Sequence, residues 1–178
     1  ANYRLGALGC IDLSPLSTSQ HRIDDNLFLR DLVAALRWVR TNIAIFGGDP
    51  DNVTIFGESA GAHAVATLLA VPDARGLFSR AICESPASGM VRTPDIAAEL
   101  AEQFAAMLGA ESGRGAAALL AARPDHLVDT LDRLIRRAGD ELPGAFPAGP
   151  ACGTAFLPED PVAAMREGRA HRVPLIVG

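Results

Sequence analysis

The sequence predicts an α/β fold with a mostly parallel central sheet flanked by helices. Three observations carry this prediction. A β-branched run, Val53-Thr54-Ile55-Phe56, leads at once into glycine and small residues and then an alanine-rich stretch, which reads as strand, sharp turn, helix. Arg80-Ala81-Ile82-Cys83-Glu84 reads as the next strand, completing a strand–helix–strand crossover whose strands must run parallel. Ahead of both, Leu29, Leu32, Val33, Leu36, Val39 and Ile43 recur at three- and four-residue spacing, one face of an amphipathic helix over residues 25–43.

Taken in order, the chain opens on Ala1-Asn2-Tyr3-Arg4-Leu5-Gly6, which has no charged n-region or apolar h-region and reads as mid-domain sequence. Residues 14–22, rich in Ser, Thr and Pro, read as a loop. Asp24 and Asp25 stand at the favourable N-terminal end of the first helix, and Gly47-Gly48-Asp49-Pro50 stops it. The alanine-rich helix is expected over residues 60–71. Further helices are expected over 96–108, 115–122 and 126–138, with Gly109 and Pro124 as breaks, forming a helical insertion. Residues 142–152 read as a Gly/Pro-rich connection. A short helix near 161–167 precedes a final strand over 173–177.

Composition narrows the function classes. Of the 178 residues, 49% are hydrophobic and 21% charged, which suits a folded globular chain and argues against disorder. A net charge of −5 offers no footprint for nucleic acid or for an anionic membrane surface, and no apolar run is long enough for a helical span. All 16 basic residues are arginine. Without lysine the chain holds neither a P-loop of the usual kind nor a pyridoxal Schiff base. Cys10, Cys83 and Cys152 lie far apart and form no C-x-x-C pair, so they read as free thiols. The four histidines show no H-E-x-x-H spacing, and no metal site is expected. Gly113-x-Gly115-x-x-Ala118 follows a helix and not a strand, which removes it as a dinucleotide fingerprint, and Asn52-Val53-Thr54 is a glycosylation sequon by letter only.

The chemistry concentrates at Gly57-Glu58-Ser59-Ala60-Gly61, a nucleophile-elbow pattern between strand and helix. A chain reversing that sharply holds the serine in a strained backbone conformation, typically at ~1–3 kcal/mol. Side chains two positions before and after would collide, so glycine is expected at both Gly57 and Gly61. Ser59 is then the candidate nucleophile at the tip. Ala60 opens the helix, where its amide can donate to the oxyanion of a tetrahedral intermediate. Glu58, beside the nucleophile, reads either as a pocket-floor carboxylate tuning the acyl-transfer centre or as a hydrogen-bonded structural carboxylate. His63, four residues on, points back along its own helix and reads as a packing residue. His171 precedes a strand, whereas a catalytic base belongs on a loop beyond one, and His21 and His126 read as surface loop or helix-start residues.

The whole run from Phe46-Gly47-Gly48 through Val53-Thr54-Ile55-Phe56-Gly57-Glu58-Ser59-Ala60-Gly61 resembles the signature of type-B carboxylesterases, the cholinesterase-like branch of the α/β-hydrolases. The resemblance extends to Asn2-Tyr3-Arg4-Leu5-Gly6, Ala35-Leu36-Arg37-Trp38-Val39, Gly76-Leu77-Phe78, Phe156-Leu157-Pro158 and Val173-Pro174-Leu175-Ile176-Val177-Gly178. Residues 95–150 match only in helical character. Phe28 and Leu32 stand where the family usually has Gly and Gln, and Glu84-Ser85 replaces its Gln-Ser. The resemblance implies hydrolysis of a small-molecule carboxylic ester through an acyl-enzyme, with neither metal nor organic cofactor. It also implies that residues 1–178 form an incomplete α/β-hydrolase domain, truncated at both ends. The family's glycine-rich oxyanion loop would lie upstream, and its triad acid and histidine downstream, so the segment alone is expected to be inactive. The rival implication is a non-catalytic cholinesterase-like interaction domain, which would not need to keep a hydroxyl at the strained position.

Overall fold

In the computed structural model, which describes residues 1–141 and 146–178, three short strands form one parallel sheet in the order β1-β2-β3. They are β1 (Thr54–Glu58), β2 (Arg80–Glu84) and β3 (Leu175–Val177). Register is continuous across the sheet, with Thr54 opposite Arg80, Glu58 opposite Glu84, and Cys83 opposite Val177. The α/β fold class and the parallel crossover read from the sequence are therefore observed. The described residues also form six α-helices: α1 (Leu27–Asn42), α2 (Ala60–Leu68), α3 (Pro94–Met107), α4 (Gly115–Ala121), α5 (Pro124–Glu141) and α6 (Pro161–Arg166). No helix among the described residues is long and apolar enough to cross a membrane.

The chain divides into two compact units. One comprises Ala1–Tyr3, Leu29–Val91 and Cys152–Gly178 and contains the sheet, α2, α6 and nearly all of α1. Its α2 is buried from Ala62 through Leu68, where small residues let the helix lie close to the strands. The other comprises Arg4–Phe28 and Arg92–Ala151. There α3 and α5 bury Phe104, Leu131 and Leu134 against Ala7 and Ile11, and Leu16 packs on Ala101 and Ala105. Thr93 caps α3 by accepting from the Ile96 amide, and Gly109, in the left-handed region at φ 82°, follows its end. Within the same unit the buried Asn26 amide grips the backbone of Ala151, its Nδ2 donating to the carbonyl at 2.8 Å and its Oδ1 accepting from the amide at 2.9 Å.

Several expected boundaries shift, each for a local reason. β1 begins one residue later than Val53 and runs on through Gly57 and Glu58, because the ladder to Cys83 and Glu84 continues past the β-branched run. Among the described residues it is an edge strand and not a buried one: Phe56 is 75% exposed. Regular α2 stops at Leu68 and not at residue 71. Val71, preceding Pro72, is held extended (φ −85°, ψ 114°), and Pro72 then opens a short 3-10 turn. The final strand pairs from Leu175, two residues late, since Pro174 has no amide to donate and contributes its carbonyl to Ala81 (3.0 Å). α1 starts after Asp24 and Asp25, so neither acid sits in its first turn. Pro124 marks the break between α4 and α5 as expected, and does so as the first residue of α5. Of the expected 142–152 connection, residues 142–145 lie outside the described residues.

Candidate active site

Ser59 stands alone between β1 and α2, in a backbone conformation of φ 52° and ψ −114°. Non-glycine residues rarely occupy that region, and one found there marks stored strain. Both peptide groups of the residue are engaged. Its amide donates to the Glu84 carbonyl at the end of β2 (2.9 Å), and its carbonyl accepts the first helical bond from the His63 amide (2.9 Å). The first bond fixes the elbow to the neighbouring strand and the second commits the chain to α2. The Ser59 side chain is exposed at the carboxyl end of the parallel sheet, where loops of open α/β sheets gather their ligands.

The two glycines do different work. A Cβ built on Gly57 would lie 2.3 Å from the Gly61 carbonyl carbon, 2.5 Å from its oxygen and 2.8 Å from the Ala62 amide nitrogen. Those are backbone atoms, so no side chain fits at Gly57. A Cβ on Gly61 would meet nothing within 4 Å. The expectation of a steric demand at both positions therefore holds for Gly57 alone. Gly61 contributes to the tight contact through its backbone, and its open side faces an apolar cavity of about 280 Å³ lined by Leu36, Val39, Phe56 and Val65.

Ala60 is the first residue of α2, where helical amides have no partner four residues back. Glu58 ends β1 with its side chain exposed, in register with Glu84. His63 is 8% exposed within the buried face of α2, as a packing residue would be. His171 is used elsewhere: its Nε2 lies 2.7 Å from the Val71 carbonyl and must carry the proton to donate there, and its ring meets Phe78 edge-on. Burial lowers its pKa, opposed by the Val71 bond and reinforced by the charge of Arg75. His21 and His126 are exposed. Cys83 is buried in β2, and burial raises its thiol pKa.

Two features here escaped the sequence. One is the Glu84 carbonyl that anchors the serine. The other is Ser85, also at φ 52°, whose amide donates to the Gly178 carbonyl (2.5 Å). The one available signal was the polar pair Glu84-Ser85 ending an apolar strand.

The family model described as "Carboxylesterase family" matches residues 1–178. The chain belongs to the carboxylesterase family. Among curated carboxylesterase-family proteins it is 44% identical over 177 residues to para-nitrobenzyl esterase of Bacillus subtilis, covering 99% of this chain and 35% of that protein. It is 38% identical over 183 residues to carboxylesterase 5A of Felis catus, covering 99% and 31%. Among solved structures, a para-nitrobenzyl esterase superposes with a TM-score of 0.86 at 42% identity, over 99% of this chain and 37% of that one. The chain thus spans about a third of the length of these carboxylesterases, and its sheet and helices are part of the α/β-hydrolase fold.

Proposed function

We propose that this chain carries the nucleophile of a carboxylic ester hydrolase that works through an acyl-enzyme. The observation that carries this reading is the strained Ser59, held at φ 52° between the carboxyl end of β1 and the first turn of α2. Strain of this kind is retained where geometry has a use, and a non-catalytic interaction domain has none for it. Ester hydrolysis is the activity named for the curated relatives, and it comes to this chain as part of the proposal.

In the proposed mechanism the Ser59 Oγ attacks the ester carbonyl carbon, forming the acyl bond as the alcohol leaves. The carbonyl oxygen becomes an oxyanion beside the Ala60 amide, where the positive end of α2 also stabilises negative charge. Water then cleaves the acyl-enzyme and returns the serine. Glu58 stands next to the nucleophile and sets the charge of the pocket that receives the ester. A serine hydroxyl needs a base to remove its proton, and that base needs an orienting acid. His171 is pinned to Val71 at the opposite, amino-terminal end of the sheet. Base and acid then come from parts of the parent polypeptide outside residues 1–178, which form an incomplete catalytic domain.

The test is active-site labelling. A fluorophosphonate probe should label the full-length protein at Ser59, and Ser59→Ala should abolish labelling and lower ester turnover by at least about 10³-fold. Full turnover in the Ser59→Ala protein would overturn the proposal.

A further inference from the structure

A second cavity lies at the amino-terminal end of the sheet. A cavity of about 320 Å³ is lined by Arg75, Gly168, Arg169, His171 and Arg172. It draws on the segment leading into β2 and the segment leading into β3. Because the strands run parallel, this places it at the end of the sheet opposite Ser59. Two hydrogen bonds tie its walls together: the His171 amide donates to the Leu69 carbonyl (2.7 Å), and the His171 Nε2 donates to the Val71 carbonyl (2.7 Å). The cavity is thus built on a fixed crossing of two chain segments.

Its charge is one-sided. Arg169 is paired with Glu159 and Glu167, and the nearby Asp73 is held by Arg37 at 2.9 Å. Among the described residues Arg75 and Arg172 are in no ion pair. The Arg172 guanidinium lies over Gly168, 3.4 Å from where a Cβ would stand. What sets Arg75 and Arg172 apart from the other exposed arginines is that both line one cavity.

We propose that the Arg75–Arg172 cavity binds a small phosphate dianion, either inorganic phosphate or the phosphate of a soluble monoester. Guanidinium forks match the oxygens of phosphate bidentately, and two of them balance a charge near −2. The site is independent of the ester chemistry and makes no use of Ser59. The charge of Arg75 already acts on the His171 ring, beyond the larger effect of burial and against the Val71 bond. A bound dianion offsets that charge and raises the His171 pKa from its depressed value.

The test is an NMR titration of the full-length protein with inorganic phosphate at constant ionic strength, with acetate as a second arm. Saturable shifts at Arg75, His171 and Arg172, together with an upward move of the His171 pKa, are expected for phosphate. Arg75→Gln/Arg172→Gln should weaken binding at least tenfold, whereas Arg75→Lys/Arg172→Lys, which keeps both charges, should retain saturable but weaker binding. Ester turnover, which does not involve either arginine, should stay unchanged and report that the variants are folded. Non-saturating shifts spread over other arginines, or equal binding by the Gln double variant, would overturn the site. Equal affinity for acetate would overturn the assignment to a dianion.

Discussion

The Ser59 amide donates to the Glu84 carbonyl across 2.9 Å, so the strained residue is held from the neighbouring strand as well as by its own helix. A tight strand-to-helix turn at the end of an edge strand would otherwise have little to oppose its relaxation. The bond converts the register of β1 and β2, which places Glu58 opposite Glu84, into a fixed position for the next residue along.

The glycine asymmetry gives the sharpest substitution test. In Gly57→Ala the new methyl would stand 2.3 Å from backbone carbon, and neither strand nor helix can move without breaking the elbow. We expect a loss of roughly 1–3 kcal/mol in stability and loss of ester turnover in the full-length protein, measured by denaturant unfolding and a chromogenic ester assay. Wild-type stability in Gly57→Ala would show that the close approach to Gly61 is not obligatory.

Removing the Asn26 clamp should be costly even though it lies far from Ser59 in sequence. Asn26→Ala deletes both bonds to Ala151 and leaves a backbone donor and acceptor unpaired in a buried place. The expected cost is roughly 2–4 kcal/mol. Asn26→Asp keeps the acceptor for the Ala151 amide but sets a carboxylate against its carbonyl, and should destabilise as well. Urea midpoints of the two variants test this.

His171 makes stability depend on pH in a calculable direction. Burial is the first cause of its lowered pKa, and Arg75 adds to it, against the Val71 bond. Arg75, Arg169 and Arg172 share its cavity, while Glu159 and Glu167 are bound up with Arg169. The ring is therefore neutral in the fold at pH values where the unfolded chain, with its ordinary 6.5, already takes up a proton. By linkage the contribution is full above about pH 6.5 and is lost as pH falls below that toward the folded pKa. Thermal midpoints measured between pH 8 and pH 5 should fall at the acid end, and His171→Gln should flatten that part of the curve.

Residues 1–178 expressed by themselves should self-associate and remain silent toward a fluorophosphonate. Both edge strands expose apolar side chains, with Phe56 at 75% and Ile176 at 65%, and unpaired parallel edges recruit other chains. Phe56→Lys and Ile176→Lys should each reduce association, read by light scattering. A monomer that unfolds cooperatively and labels stoichiometrically at Ser59 would contradict both expectations.

What the sequence made legible was whatever is encoded locally. Strand, elbow and helix around Ser59 follow from β-branched residues, small residues and alanines within a few positions of one another. Periodicity likewise located α1. The extension of β1 through Gly57 and Glu58 was hidden, because both residues are poor strand formers and only the partner strand holds them there. The Asn26–Ala151 clamp joins residues 125 positions apart, and nothing in composition announces such a pair. Gly61 misled for the opposite reason: the motif suggests a steric need that, at this position, the backbone alone fulfils.

The parallel sheet also divides the first unit into a rim open to change and a rim that must stay fixed. At the amino-terminal end, Ser79 donates to the Val53 carbonyl (2.8 Å), Ala81 to that of Pro174 (3.0 Å) and His171 to those of Leu69 and Val71, so three chain segments are laced together there. At the other end Ser59 and Ala60, which follow β1, and Ser85, which follows β2, are exposed. The segment that follows β2, from Pro86 to the start of α3, can be recomposed without disturbing the lacing. A laboratory seeking new ester specificity should therefore diversify the residues that follow Ser85, sparing the Gly57–Gly61 elbow and the Glu84 carbonyl that holds Ser59. Libraries aimed at the lacing residues Leu69, Val71 and His171 would disturb the end of the sheet that has to stay fixed.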